Sequence, residues 1–430
     1  MQPSMASKLV VMGQGYVGLP LAVAAAERGY QVVGYDVDEG RVKKLSVGES
    51  YVGDIGSERL AALLDAGRYR PSVADEDLAG FDIAVITVPT PLRDGEPDLS
   101  YIESAGIALA AHLRPGAVVV LESTSYPGTT EEVLGPLLHR ESGLAPGRDF
   151  HLGYSPERID PGNERWTFTT TPKVVSGVDE ASLARIADFY GSVVQEVVPA
   201  GTPRVAELAK ILENTFRQVN IALVNELATH ADGLGVDMWE ALDVAATKPF
   251  GFMRFTPGPG VGGHCLPVDP LYLSWKVERT LGTRFRLVEL AAELNDQMPE
   301  YVVRRLERGL DRRSTALSGA RVLLLGLAYK ANSGDVRESP GVDIARLLAR
   351  AGAEVRIVDA HVTEYPSGLL PSGPVAPTAV ELTAEEIAAA DAVLLVTDHD
   401  GVDYERVTAS ARYVLDCRRR LAPGGAVESL

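Results

Sequence analysis

The sequence predicts an α/β protein with two parallel strand–helix regions separated by a long helical stretch. Three observations carry that prediction. Residues 8 to about 200 alternate short apolar runs with helical patterns. Residues 203–246 carry apolar residues at helical spacing, with no proline before Pro249. From Gly319 the strand–helix alternation restarts. At 430 residues the chain exceeds one ordinary domain, and two or three are expected.

The first strand candidate, Leu9–Met12, is short and apolar, as a buried parallel strand should be. It runs into Gly13-Gln-Gly15-Tyr16-Val17-Gly18, which fills the G-x-G-x-x-G pattern and opens an alanine-rich helix over Leu19–Arg28. Gly13 permits the tight turn, Gly15 lets a pyrophosphate approach the backbone, and Gly18 lets the helix pack against the strand. The pyrophosphate then meets the positive helix end. A second strand, Gln31–Tyr35, ends at Asp36. An acid there suits the adenosine ribose hydroxyls, which favours NAD over NADP. This is a Rossmann-type dinucleotide unit.

Further strands are expected at Ile83–Thr87, Ala117–Glu122, His151–Gly153, Lys173–Ser176 and Val194–Val198. The Pro89-Thr90-Pro91 corner follows the Ile83 strand and so lies at the carboxyl edge, where such sheets bind ligands. A helix should begin near Ser100.

The middle of the chain reads as helix through Val205, Leu208, Ala209, Leu212, Phe216, Val219, Leu223, Leu227 and Ala231. A helix this long offers a face either to the chain's own core or to a partner copy. Leu287–Leu310 reads as helix too. Between them lies Phe255-Thr-Pro-Gly-Pro-Gly-Val-Gly262-Gly-His264-Cys265-Leu-Pro-Val-Asp269. A thiol behind a glycine-dense loop can be approached closely by a substrate, with backbone N–H groups available to an oxyanion. A structural thiol belongs inside an apolar periodic segment instead, which is how Cys417 reads. His264 adjoins the thiol, but sequence neighbours point apart too often to assign it as a base.

In the last third, Arg321–Leu327 is a strand-to-glycine turn, Asp343–Arg350 a helix, and Ala353–Asp359 a strand ending in an acid. Asp391–Thr397 and Tyr413–Asp416 complete a smaller, Rossmann-like sheet without the full glycine pattern. Residues 362–382 read as loop.

The formal net charge of −18 argues against a nucleic-acid or membrane-surface binder. Local arginines can still bind a phosphorylated substrate. Two distant cysteines make no disulfide framework and suit a reduced, cytoplasmic compartment. No signal peptide, membrane span or metal-ligand spacing is expected.

Seven segments occur in a telling order: Gly13–Pro20, Val88–Pro91, Glu122–Thr124, Ser155–Arg158, Lys210–Asn214, Gly262–Cys265 with Asp269, and Ala328–Lys330 with Asp335–Pro340. Together they make the chain resemble the UDP-glucose/UDP-N-acetylhexosamine 6-dehydrogenases over nearly its whole length. The resemblance implies an NAD domain (1–200), a central helical dimerisation region carrying the cysteine loop (201–312) and a nucleotide-sugar domain (313–430). It implies oxidation of the sugar C6 alcohol to a carboxylate, with two NAD per turnover, in a homodimer. It gives Cys265 as nucleophile, Lys210 as stabiliser of the oxyanion, and Asp269 as the acid handling protons around a water. Asn214 lies one helical turn from Lys210, on the same face. Thr124 and Glu157 match positions that orient water and sugar, although each alone reads equally well as a turn or cap residue. Tyr16, Val17, Pro89, Thr90 and Thr124 join the glycines and Asp36 around NAD. Arg158, Arg254, Gly262, Lys330 and Arg337 join Glu157, Lys210 and Asn214 around the substrate. Alone, Lys330 and Arg337 read as solvated surface charges.

One departure bears on the substrate. The glucose-type branch carries a second acid four residues after Glu157, where this chain has Pro161. That and Lys248-Pro-Phe-Gly-Phe point to an N-acetylhexosamine, with UDP-glucose and dTDP-glucose left open. Two other readings compete: a one-step NAD-dependent alcohol or hydroxyacid dehydrogenase, and a catalytically silent NAD-binding scaffold. Neither needs the set Cys265, Lys210 and Asp269.

Overall fold

The computed structural model describes residues 7–159, 163, 165–362, 368, 370 and 376–430. Most of the 362–382 loop and Pro161 lie outside the described residues. The chain divides into two compact units. The first is the chain up to Glu213 together with Trp275–Thr283, and the second is Asn214–Ser274 with Arg284–Leu430.

The first unit is built on β1 (Lys8–Met12), β2 (Gln31–Tyr35), β3 (Tyr69–Ser72) and β4 (Ile83–Ile86). A small hairpin follows, β5 (Leu92–Arg93) and β6 (Glu96–Pro97), and then β7 (Val118–Leu121), β8 (His151–Tyr154), β9 (Lys173–Gly177) and β10 (Val197–Pro199). Among the described residues the main sheet runs β10-β9-β8-β7-β4-β1-β2-β3. Its central strands are apolar on both faces: Leu9, Val10, Val11, Ala84, Val85 and Val119 are fully buried. Two features depart from the sequence reading. The Tyr69–Ser72 strand carries Pro71, and is tolerated because it lies at the sheet edge. And β9 runs antiparallel to β8, with Gly153 opposite Gly177 and Tyr154 opposite Ser176, so the sheet is not purely parallel.

The long helix is Pro203–Leu234. It stops short of the expected residue 246, because Gly235 takes φ +68° and Asp237 caps a second helix, Met238–Ala246, accepting from the N–H groups of Trp239 and Glu240. Ala206, Ile211, Ala222 and Ala228 are buried, whereas Val205, Leu208, Leu212, Phe216, Leu223 and Leu227 are exposed. The helix therefore has a core face and an uncovered apolar face. The Leu287–Leu310 pattern resolves into two helices, Arg286–Asp296 and Met298–Asp311, with Pro299 in the first turn of the second. The helix Asp269–Leu281 escaped the sequence reading.

The second sheet contains β11 (Arg321–Leu325), β12 (Glu354–Val358), β13 (Thr378–Ala379), β14 (Ala392–Leu395), β15 (Val414–Asp416) and β16 (Val427–Ser429). Among the described residues its order is β13-β12-β11-β14-β15-β16, all parallel. No helix among the described residues is long and apolar enough to cross a membrane.

Candidate active site

The glycine turn after β1 has the geometry a dinucleotide needs. Gly13 takes φ +94°, and its N–H donates to the Tyr35 carbonyl at 2.8 Å. A side chain at Gly18 would collide with the Gly13 carbonyl. At Gly15, by contrast, a Cβ would meet nothing within 4 Å, so the backbone there is open to a ligand. The Asp36 carboxylate accepts from Gln14 N–H at 2.8 Å and Asp38 N–H at 2.9 Å, which locks the end of β2 to the turn. Gln14 is fully buried, bonding Val11 O through Nε2 and Tyr69 OH through Oε1. Tyr16 is half-exposed, and the Pro89–Thr90 corner follows Thr87, whose Oγ1 donates to the Gly13 carbonyl at 2.8 Å. These residues fit NAD: the open glycine backbone would take the pyrophosphate and Asp36 the ribose.

Further along the same edge, Glu122, Glu157 and Lys173 meet. The Lys173 Nζ donates to Glu122 Oε1, and to Glu157 Oε2 at 3.1 Å. Tyr190 OH donates to Glu122 Oε2 at 2.8 Å. Glu157 Oε1 accepts the N–H groups of Arg158 and Ile159, so this acid also shapes its own loop. Burial pushes Glu122 up to about 7, against the pull of Lys173. Burial pushes Glu157 the same way, but the Lys173 charge, the bond to Glu122 and the Ile159 N–H outweigh it and hold Glu157 below its ordinary value. Arg158 reaches Glu213 at 2.7 Å and the Pro172 carbonyl at 3.0 Å.

Cys265 is exposed and lies at the N-terminal end of the Asp269 helix, its carbonyl accepting Asp269 N–H at 2.8 Å. A helix N-terminus favours negative charge, as a thiolate requires. Buried Asp269 Oδ2 accepts from Asn214 Nδ2 at 2.5 Å, which brings together two of the expected residues. Lys210 lies one turn earlier in that helix and is half-buried. The loop before the thiol is held from two sides. Gly258 N–H donates to Asn225 Oδ1 at 2.9 Å, and Asn225 Nδ2 donates to Asn295 Oδ1 at 2.9 Å. Gly263 N–H donates to the Arg337 carbonyl at 3.1 Å. A Cβ at Gly262 would meet the Glu338 carbonyl at 2.6 Å, and one at Gly263 the Tyr329 ring at 2.8 Å. The glycines are there for that close approach.

The segment carrying Lys330 and Arg337 is thus packed directly on the cysteine loop. Arg337 pairs with Asp335 at 2.6 Å. Arg254 is exposed and pairs with Asp243 at 2.7 Å. Cys417 is fully buried in the core of the second sheet, where burial pushes its thiol far up, so it is inert. The sequence reading missed Lys173, Tyr190, Gln14, Asn225 and Asn295. Glu122 stood inside a quoted motif, but its burial beside a lysine from a distant strand has no local signature.

Residues 7–194 match the NAD binding domain of the UDP-glucose/GDP-mannose dehydrogenase family, 204–297 its central domain and 323–423 its UDP binding domain. The chain belongs to this family. A UDP-N-acetyl-D-mannosamine dehydrogenase of Pyrococcus horikoshii is 35% identical over 410 residues, covering 94% of this chain and 93% of that protein. A UDP-N-acetyl-D-glucosamine 6-dehydrogenase of Pseudomonas aeruginosa is 40% identical over 362 residues, covering 83% of each. The solved UDP-D-ManNAc dehydrogenase structure from P. horikoshii superposes with a TM-score of 0.86 at 33% identity, over 98% of both chains. The chain is therefore an NAD-dependent nucleotide-sugar dehydrogenase with an N-terminal NAD domain, a central helical region and a C-terminal UDP-binding domain. These matches do not favour the one-step hydroxyacid dehydrogenase or the silent scaffold.

Proposed function

We propose that this enzyme oxidises C6 of a UDP-N-acetylhexosamine to the carboxylate through a covalent intermediate on Cys265. The observation that carries the reading is the exposed thiol at a helix N-terminus, four residues before the Asn214–Asp269 pair and on a loop pressed against the Lys330–Arg337 segment. The preference for an N-acetylhexosamine rests on the substrates named for the relatives and on Lys248–Phe252. UDP-glucose and dTDP-glucose are the outcomes the substrate panel tests against.

When bound, NAD would supply the hydride acceptor for both oxidations of C6, and the hydroxyl proton of the first oxidation would leave through the water that Asp269 holds. The chain's own residues do the rest. The Cys265 thiolate adds to the C6 aldehyde, forming the C–S bond, and the carbonyl oxygen becomes an oxyanion that Lys210 stabilises. Loss of hydride from C6 converts this adduct to a thioester. A water then attacks the thioester carbon, the C–S bond breaks, and the carboxylate and thiol leave. Asp269, fixed by Asn214, takes the proton of that water, with Thr124 and Glu157 orienting water and sugar. Arg158, Arg254, Gly262, Lys330 and Arg337 hold the nucleotide and sugar, and Tyr16, Val17, Pro89 and Thr90 line the cofactor.

We read residues 1–200, 201–312 and 313–430 as the three working parts of a cytoplasmic homodimer. The uncovered face of the 203–234 helix, from Val205 to Leu227, supports the dimer.

The test is Cys265→Ala and Cys265→Ser with UDP- and dTDP-linked hexoses and N-acetylhexosamines. Wild type should make two NADH per uronate without free aldehyde. Cys265→Ala should lose several orders of magnitude in uronate formation and show no covalent adduct by mass spectrometry. One NADH per sugar in wild type, or full uronate production by the alanine variant, overturns the reading.

A further inference from the structure

The reversed strand β9 has a consequence at the ligand edge. Parallel strands bring their carboxyl ends to that edge, but an antiparallel strand brings its beginning. Lys173, the first residue of β9, therefore stands beside the ends of β7 and β8, from which Glu122 and the Ser155–Arg158 loop emerge. Lys173 is 3% exposed and Glu122 is 1% exposed. The ammonium contacts both Glu122 and Glu157 and lies 5.3 Å from the Phe168 ring and 5.4 Å from the Tyr190 ring. Burying three ionisable groups is a poor way to gain stability, since apolar side chains of the same volume do as well or better. The cluster is better explained by what it aligns. Thr124 lies two residues after Glu122, and Glu157 is the site acid on the neighbouring loop.

We propose that Lys173 is a positioning residue for the dehydrogenase reaction, fixing the Glu157 carboxylate and tying its loop to the Glu122–Thr124 segment. This rests on Thr124 and Glu157 being site residues. Both oxygens of Glu157 are partly committed: Oε1 to two backbone N–H groups and Oε2 to Lys173. The lysine holds Oε2 from behind, Glu122 bonds the same carboxylate, and the side chain keeps 12% of its surface exposed. Among the described residues, the charged and titratable groups facing Glu157 are Lys173 from β9 and Glu122 just after β7, with Tyr190 behind Glu122 and Arg158 turned away to Glu213.

Three variants of the full-length enzyme test the proposal: Lys173→Met, Lys173→Arg and Glu122→Gln, with Glu157→Gln as reference. Lys173→Met keeps the length and removes the charge. It should lower kcat roughly ten- to hundredfold, the scale of a misplaced reacting group, with the KM for NAD little changed. Its direction with pH is fixed by sign. Without the cation, Glu157 ionises at higher pH, so the acid limb of kcat should move upward and activity should fail as pH drops. Lys173→Arg should restore most of the rate. Glu122→Gln mimics the neutral side chain that burial favours on the acid limb and should leave that limb near its wild-type position; it also keeps the test readable if Lys173→Met does not fold, because a large shift there would give Glu122, not Lys173, the control of Glu157. An acid limb that moves as far in Glu122→Gln as in Lys173→Met, or a pH-independent loss that arginine does not rescue, would leave Lys173 merely structural and overturn the proposal. An impaired Glu157→Gln beside an unimpaired Lys173→Met sinks it alone. An unimpaired Glu157→Gln removes Glu157 from the site, and the underlying reading falls with it.

Discussion

The two sheets begin with the same turn and put it to different uses. In the first, Gly13 at φ +94° donates to the carbonyl ending β2, and Thr87 after β4 bonds the Met12 and Gly13 carbonyls. In the second, Gly326 at φ +85° donates to the Val358 carbonyl ending β12 at 2.9 Å, and Thr397 after β14 bonds the Ala328 carbonyl. Each β2-type strand is followed by an aspartate. There the likeness ends. In the first half the helix starts at Gly18, directly after an open glycine backbone. In the second it starts at Pro340, and the intervening residues carry Lys330 and Arg337. Asp36 accepts from two backbone N–H groups and keeps acceptor capacity for a ligand. Asp359 accepts from the N–H groups of Leu327, Ala328, His361 and Val362 and from His399 Nε2 at 3.1 Å. With five donors on two oxygens its acceptor capacity is spent. His399 in turn accepts Asn332 N–H on Nδ1 at 2.9 Å, which secures the Lys330 segment. One aspartate keeps room for a ligand; the other has become an internal clasp for the loop that carries Lys330.

The strongest way to break this comparison is Asp359→Ala. It leaves four partly covered N–H groups and buried His399 without their acceptor, and removing one partner of a buried charged network costs about 3–5 kcal/mol. Denaturant unfolding should show that loss, and the KM for the nucleotide sugar should rise while NAD affinity holds. An equal loss of NAD affinity would show that the two aspartates do not differ as argued. Gly15→Val sharpens the other side. Nothing lies within 4 Å of a Cβ at Gly15 and its φ is ordinary, so the melting temperature should stay put. A ligand phosphate approaching that backbone would be blocked, raising the KM for NAD by more than about tenfold, or roughly 1.4 kcal/mol. An unchanged KM would mean that the pyrophosphate does not cross Gly15.

The first half was the more legible because each demand of its turn maps onto one residue type. Only glycine fits Gly13 and Gly18, and an acid ending β2 has few other uses. The second half was read as a strand, a glycine and an acid, but the clasp on Asp359 comes from His399, forty residues away, and pairs at that distance leave no local pattern. Strand direction was hidden for the same reason. Lys173–Ser176 has the composition of a strand whichever way it runs, and its direction decides that Lys173 reaches the ligand edge. The helix end near 235 has a local signal, with Gly233, Gly235 and Asp237 as a stop and a cap, although no proline interrupts the pattern before Pro249. At the thiol, the candidates Cys265 and Asp269 stand out by their spacing, and Asn214 by its turn relation to Lys210. Asn225 and Asn295 do not, since buried asparagines interrupt no apolar period.

The smallest effect expected is at Asp36, and it tests whether the open aspartate selects the cofactor. Arg41 Nη1 lies 3.5 Å from Asp36 Oδ2 and is half-exposed. In wild type that guanidinium is engaged by Asp36, and a 2′-phosphate would meet the carboxylate. Two like charges about 4 Å apart repel by about 4 kcal/mol at an effective dielectric of 20, and solvent access reduces that figure at an open pocket. Asp36→Ser removes the repulsion and frees Arg41 to pair with the phosphate, as arginines do in NADP sites. The ratio of kcat/KM for NADP over NAD should rise severalfold, up to about tenfold, or roughly 1.4 kcal/mol. Part of the change should appear as weaker NAD use, because Asp36 also holds the Gln14 N–H that shapes the turn. Adding Arg41→Ala should cancel the gain for NADP while leaving the loss for NAD. If Asp36→Ser lowers both cofactors alike, the aspartate serves only to brace the turn, and the two halves are closer in design than their hydrogen bonds indicate.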